Sequence, residues 1–159
     1  MTNSEKRALV LQWAESQLGV IEYPRGSNKV KYNDWFYGKA GATGPWCMAE
    51  VQWVFDRAML PLPVKTASCT VLAAYAKQHG QWVTSGYKPG DILFMHWGKD
   101  ASVTEHVGIV KEVKGTYVVT YEGNTSLASQ ANGGSVMERN RAYANITGAY
   151  RPWYNMVCS

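Results

Sequence analysis

Glu105-His106-Val107-Gly108-Ile109-Val110-Lys111-Glu112-Val113-Lys114-Gly115-Thr116-Tyr117-Val118-Val119-Thr120-Tyr121-Glu122-Gly123-Asn124 is the stretch that decides the fold. Two runs rich in Val, Ile and Tyr, 106–113 and 116–121, flank a polar turn, which is the pattern of an antiparallel hairpin. Residues 91–95 before it and 148–151 after it read as further strands. Ahead of Asp91 the hydrophobic period is helical. Ser4 is placed to cap a helix running to about Leu18, with Gly19 as its stop. Pro45 suits the first position of a second helix, whose apolar face is Val51, Val54, Phe55 and Ala58, with Pro61 and Pro63 beyond its end. Ser68 caps a third, from Cys69 to His79, stopped by Gly80. Between the first two helices, residues 24–44 read as a long irregular loop, and loops of that length inside a small domain are often functional. Helices first and an antiparallel meander after them imply an α+β fold, with N-terminal helices packed on one side of a small antiparallel sheet.

The chain has 159 residues, which suits one domain, read as 1–155 with a tail at 156–159. Its net charge of +4 favours an anionic partner without selecting one. Lys and Arg form no dense run, so nucleic acid is not indicated. Seven Trp and ten Tyr suit an aromatic core, or a groove for sugar or peptide. Three Cys, an odd number, make no disulfide framework, and no Cys/His spacing suggests zinc. The polar start, Met1 to Arg7, is no signal peptide, and no segment is long and apolar enough to enter a bilayer. The expectation is a monomer made in the cytoplasm, with its thiols preserved and no cofactor.

The chemistry lies in three segments. Gly44-Pro45-Trp46-Cys47 opens the second helix and places a thiol in its first turn, four residues before Val51 on the same face. A helix N-terminus and a nearby imidazolium both lower a thiol pKa. His106 is the best placed of the three histidines to supply the second. A three-residue hairpin turn sets His106 opposite Glu122 or Asn124 on one face, whereas a two-residue turn at Lys114-Gly115 pairs it with Gly123. The constellation therefore requires an odd-length loop or a bulge. Given that, Glu122 or Asn124 can accept the ring proton and orient the imidazole. The Cys47 backbone N–H is a natural oxyanion donor, and Asn28, Tyr32, Asn33 and Tyr37 are candidates for a second. Cys69, His79 and His96 read as packing, a helix-end cation and a surface-loop residue.

Pro-Trp-Cys at a helix start, then His-Val-Gly-Ile-Val, then Glu-Gly-Asn-Thr, in that order, resembles the CHAP domain (cysteine, histidine-dependent amidohydrolase/peptidase) of the NlpC-type, papain-like group. Ser27 to Asn33, Lys88 to Ile92 and Gly148 to Pro152 are similar to segments in CHAP domains of phage endolysins from Gram-positive hosts. The resemblance implies Cys47 as nucleophile, His106 as base and then acid, and Glu122 as orienting residue with Asn124 assisting. Two departures stand out. Many CHAP domains carry Gln before the cysteine, where this chain has Trp46. Some carry an Asp-rich calcium loop upstream, where this chain has only Asn33 and Asp34, so no metal is expected.

The resemblance further implies a peptidoglycan hydrolase that acts on the wall after release, cleaving the N-acetylmuramoyl–L-alanine amide or a peptide bond of the stem or cross-bridge. Asn28, Tyr32, Tyr37 and Trp46 are the candidate substrate-binding residues, with Trp35 and Phe36 as further groove walls. Two other readings are a non-catalytic wall-binding module of the same fold and a cysteine amidase or protease toxin with a non-wall substrate.

Overall fold

The computed structural model describes residues 1–129 and 132–152; the 156–159 tail, the boundary at 155 and Cys158 lie outside them. Helix α1 spans Asn3–Ser16. Its cap is Thr2 rather than Ser4: Thr2 and Glu5 form a reciprocal capping box, satisfying two of the free N–H groups at once. The helix stops at Gln17, ahead of Gly19.

The expected loop at 24–44 contains a second helix, α2, Lys31–Tyr37. Tyr32, Trp35 and Phe36 recur at helical spacing there, and Gly38 ends the helix in the left-handed conformation at φ 68°. Helix α3 spans Cys47–Arg57, beginning two residues after Pro45, and Met59 with φ 60° turns the chain away before the prolines. Every residue from Cys47 to Phe55 is buried, so α3 is a central helix enclosed on all sides. Helix α4, Cys69–Gln78, is capped by Ser68 as expected.

Six antiparallel strands follow: β1 Trp82–Val83, β2 Ile92–Met95, β3 His106–Val113, β4 Tyr117–Thr125, β5 Ser135–Ala142 and β6 Ile146–Tyr150, in the spatial order β1-β6-β2-β3-β4-β5. Strand β4 runs four residues beyond the expected Tyr121, and β5 was not legible in the sequence at all. With Glu138, Arg139 and Arg141 in eight residues it lacks the apolar run of a strand; it pairs with β4, and its first residues also bridge residues 19–21.

Period two sorts the sheet. Ile92, Phe94, Val107, Ile109 and Tyr121 join the core formed with α1, α3 and α4. Leu93, Met95, Val110, Val118 and Ala149 form a second cluster with Tyr87 on the opposite face. The helices thus cover one side of the sheet, as the order of elements implies.

One buried ion cluster ties the ends of β2 and β6. Arg151 grips Asp91 through two bonds of 2.9 and 2.8 Å, and Arg7 of α1 approaches the same carboxylate at 3.4 Å. Asp91 is fully buried, so losing its main partner strands a charge. Arg151→Met is expected to lower unfolding stability by about 3 kcal/mol in urea titration. A loss below about 1 kcal/mol would mean that Arg7 alone compensates Asp91.

Candidate active site

The site begins with α3 arriving at the sheet. Gly123 on β4 leaves the space that Trp46 and Glu50 occupy: a Cβ there would lie 2.9 Å from each. This close approach brings the first turn of α3 to the start of β3. Cys47 is the first helical residue, 9% exposed, and no side chain caps the helix, so its opening N–H groups carry the dipole's positive end.

The hairpin register comes next. Lys114 and Tyr117 close a two-residue connection at Gly115-Thr116, and Glu112 pairs with Val119. Then Lys111 bulges, after which Val110 pairs with Thr120 and Ile109 with Tyr121. The bulge is the condition set by the sequence. Continuing the pairing by one residue sets Gly108 across from Glu122, and His106 lies on the same face two residues along. Glu122 crosses over Gly108 to reach the imidazole: a Cβ on Gly108 would fall 2.6 Å from Glu122 Cγ.

His106 Nε2 and Glu122 Oε1 are 2.9 Å apart, and both side chains are fully buried. Glu122 accepts three further bonds, from Thr120 Oγ1 at 2.5 Å, from Arg141 Nε at 2.7 Å and from Arg141 Nη2. Burial by itself would push the Glu122 carboxyl upward; Arg141 and then His106 overturn this and bring it down to about 2. Burial likewise disfavours a charged His106. Its contacts with Cys47 and Glu122 outweigh that and raise it to about 9.

With Nε2 committed to Glu122, Nδ1 is the ring nitrogen left for Cys47. No aligned hydrogen bond joins Nδ1 to the sulfur at rest, though the two groups are close enough to stabilise each other's charge. Contacts of this kind tighten when substrate arrives. The largest influence on Cys47 is the neighbouring Cys69 thiol, which favours the thiolate. Burial opposes it, while His106 and the Met48 N–H add to it, and the Cys47 pKa falls well below that of an ordinary thiol. Cys69 is correspondingly held protonated, first by its neighbour Cys47 and then by burial. The arrangement favours a thiolate on Cys47 and a proton on His106.

Three groups here escaped the sequence reading. Cys69, assigned to packing, sits at the first position of α4, and two helix starts therefore converge on one pair of sulfurs. Thr120 was detectable as the residue two before Glu122 on the same face. Arg141 lies on the strand that the sequence did not reveal.

Several expected residues have other roles. Trp46 is fully buried, stacked on Tyr32 at 5.5 Å, with its indole N–H 3.4 Å from Glu22; it walls no groove because its ring fills the core under α3. Tyr32 is equally buried and its hydroxyl donates to Gln17. Asn28 spends its backbone N–H on Glu22 and its carbonyl on Asn33, so it shapes the loop. Asn33 is buried and spans from that carbonyl to the Gly44 carbonyl, bracing the approach to Cys47. Asn124 does not meet the ring. Its φ of 57° and a register shift after Glu122 turn its carboxamide to Gly134 N and Asn132. Tyr37 is 44% exposed near Gly44 and stays available to a substrate. His96 is 4% exposed, held by Gly98, rather than a surface-loop residue.

Residues 36–124 match the CHAP domain family, more than half of the chain, and the protein belongs to that family. No curated protein matches it. Among solved structures it is similar to the peptidoglycan hydrolase RipB from Mycobacterium tuberculosis, at 17% identity and a TM-score of 0.52, covering 94% of this chain and 65% of that one. It is also similar to Ly7917, solved with the hydrolysing product of MDP, at 15% identity and a TM-score of 0.49, covering 92% and 62%. The chain spans less than two thirds of either neighbour.

Two substitutions test the wiring. Gly108→Ala forces Glu122 away from His106 and is expected to slow iodoacetamide alkylation of Cys47 at pH 6 by about tenfold, with an unchanged circular-dichroism spectrum. Cys69→Ala removes the largest influence on the Cys47 thiol. The pH midpoint of Cys47 alkylation should then rise, and rise less in Cys69→Ser; an unmoved midpoint in both would exclude Cys69 from the pairing.

Proposed function

We propose that this domain hydrolyses an amide bond of bacterial peptidoglycan, with Cys47 as nucleophile, His106 as proton carrier and Glu122 as the group that orients the ring. The observation that carries this reading is the buried His106–Glu122 pair, 2.9 Å apart, beside Cys47 at the start of α3. Membership of the CHAP family and the likeness in fold to RipB, a peptidoglycan hydrolase, support the substrate class.

The thiolate attacks the amide carbonyl and forms a tetrahedral oxyanion. Backbone N–H groups of the uncapped first turn of α3 are the donors available to that charge. His106 then protonates the leaving amine, the C–N bond breaks, and an acyl-thioester remains on Cys47. Water, deprotonated by the now neutral His106, releases the acid and restores the thiol pair. Tyr37, with the half-buried Trp35 and Phe36 beside it, offers an aromatic wall on the approach to Cys47. The scissile bond is the muramoyl–L-alanine amide or a stem or cross-bridge peptide bond, and both a phage lysin acting after release and an injected effector fit this reading. Among the described residues, no helix is long and apolar enough to cross a membrane.

Digestion of purified Gram-positive peptidoglycan by wild type and Cys47→Ala, with mass spectrometry of the fragments, tests this directly. Wild type should release fragments and the variant none, and the new termini name the bond. Inert wild type on several wall types would transfer the domain to wall binding or to a non-wall substrate. The pH profile follows from the two shifts. Activity should rise on the acid side as Cys47 loses its proton, hold through neutrality, and fall through about 9 as His106 loses the proton it must donate. A rise centred near the pKa of an ordinary thiol, about 8.5, would contradict a preformed ion pair.

A further inference from the structure

We propose that Arg141 is a positioning residue of the thiolate site, which fixes the charge and orientation of Glu122 and through it the protonation of His106. The inference deepens the proposed mechanism and rests on that reading of Cys47 and His106.

The geometry around the carboxylate is complete. Oε1 takes His106 Nε2 and Arg141 Nη2; Oε2 takes Thr120 Oγ1 and Arg141 Nε. Four donors on two oxygens use the carboxylate's whole accepting capacity, and the guanidinium supplies two of them in the side-on fork that a Lys cannot reproduce. Glu122 is fully buried and Arg141 only 3% exposed. The guanidinium also lies 4.8 Å from the Trp97 ring, which in turn lies 6.3 Å from the His106 ring, so one indole lies against both cationic groups.

The chemical consequence follows from burial. Without Arg141, Glu122 keeps one imidazole and one hydroxyl as donors in a buried site. A carboxylate so placed takes up a proton. Protonated Glu122 then donates to Nε2 instead of accepting from it. The imidazole is left neutral with its other proton on Nδ1, the nitrogen not bonded to Glu122, and the thiolate loses its counter-ion. Arg141 thus acts two contacts away from the sulfur. A purely structural ion pair would leave the ring's protonation alone, since such a pair contributes only to the fold.

The test reads Cys47 rather than wall cleavage. Rates of iodoacetamide alkylation at the Cys47 peptide, followed by mass spectrometry from pH 4 to 9, are compared for wild type, Arg141→Met, Arg141→Lys and Thr120→Val, with melting temperatures recorded alongside. Arg141→Met should move the alkylation midpoint upward by about one pH unit or more, a loss of about tenfold in rate at pH 6. Arg141→Lys, which keeps the charge and loses the fork, should fall between the two, and Thr120→Val should shift the midpoint in the same direction by less. A folded Arg141→Met with an unmoved midpoint overturns the proposal. Should that variant not fold, unmoved midpoints in both Arg141→Lys and Thr120→Val overturn it. Acidic alkylation in wild type that is lost in Arg141→Met sustains it even where peptidoglycan stays intact, in which case only the substrate assignment falls. Wild-type alkylation with the pH dependence of an ordinary thiol removes both.

Discussion

A carboxylate sealed from water is the constraint on which the rest of this structure depends. Glu122 is fully buried on a strand, and a lone buried charge costs several kcal/mol after all relaxation. The surroundings answer that cost with a guanidinium, an imidazole and a hydroxyl, all directed at two oxygen atoms. Once those partners are in place the carboxylate cannot easily be protonated or rotated. The ring of His106 inherits that rigidity, and Cys47 has a fixed cation beside it.

Bringing the partners together is a problem of strand register. A two-residue turn at Gly115-Thr116, continued regularly, would send Glu122 and His106 to opposite faces. The bulge at Lys111 inserts one residue and restores the parity. Gly108 then removes the side chain that would stand between them. Neither device improves the packing of the hairpin. Both cost it regularity, and both make sense as means of placing one acid against one base.

Much of this was legible in the sequence because it depends on local signals. A helix opening near Cys47, the strand beginning at His106 and the need for an odd-length loop or a bulge all follow from period and turn chemistry over a few residues. Helix α2 was missed because Asn and Lys around it look like loop, although Tyr32, Trp35 and Phe36 sit at helical spacing. Strand β5 was missed for a deeper reason. Its interior residue Arg141 is charged because the site needs a cation there, so the apolar alternation that announces a strand is absent. Trp46 erred in the opposite direction. Beside the nucleophile in sequence, it turns away from it in space, since the residue before a helix's first turn can point into the core beneath.

That last point reshapes the oxyanion question. Where many relatives have a Gln before the cysteine, this chain has an indole committed to the core and to Glu22. Stabilisation of the developing negative charge then falls to backbone N–H groups at the uncapped start of α3, the same groups whose dipole favours the thiolate. Glu50, one turn further along, fits this balance. It is fully buried, neither of its oxygens has a partner, and burial followed by the nearby Cys47 and Glu122 charges raises it to about 8. A thiolate, an imidazolium, a carboxylate and a guanidinium would sum to zero in this buried volume. A fifth charge of negative sign would unsettle both the thiolate and the oxyanion, and keeping Glu50 as a neutral acid avoids it. The site is therefore neutral as a whole while each of its working groups is charged, which is the condition under which ionised groups can be held permanently inside a protein.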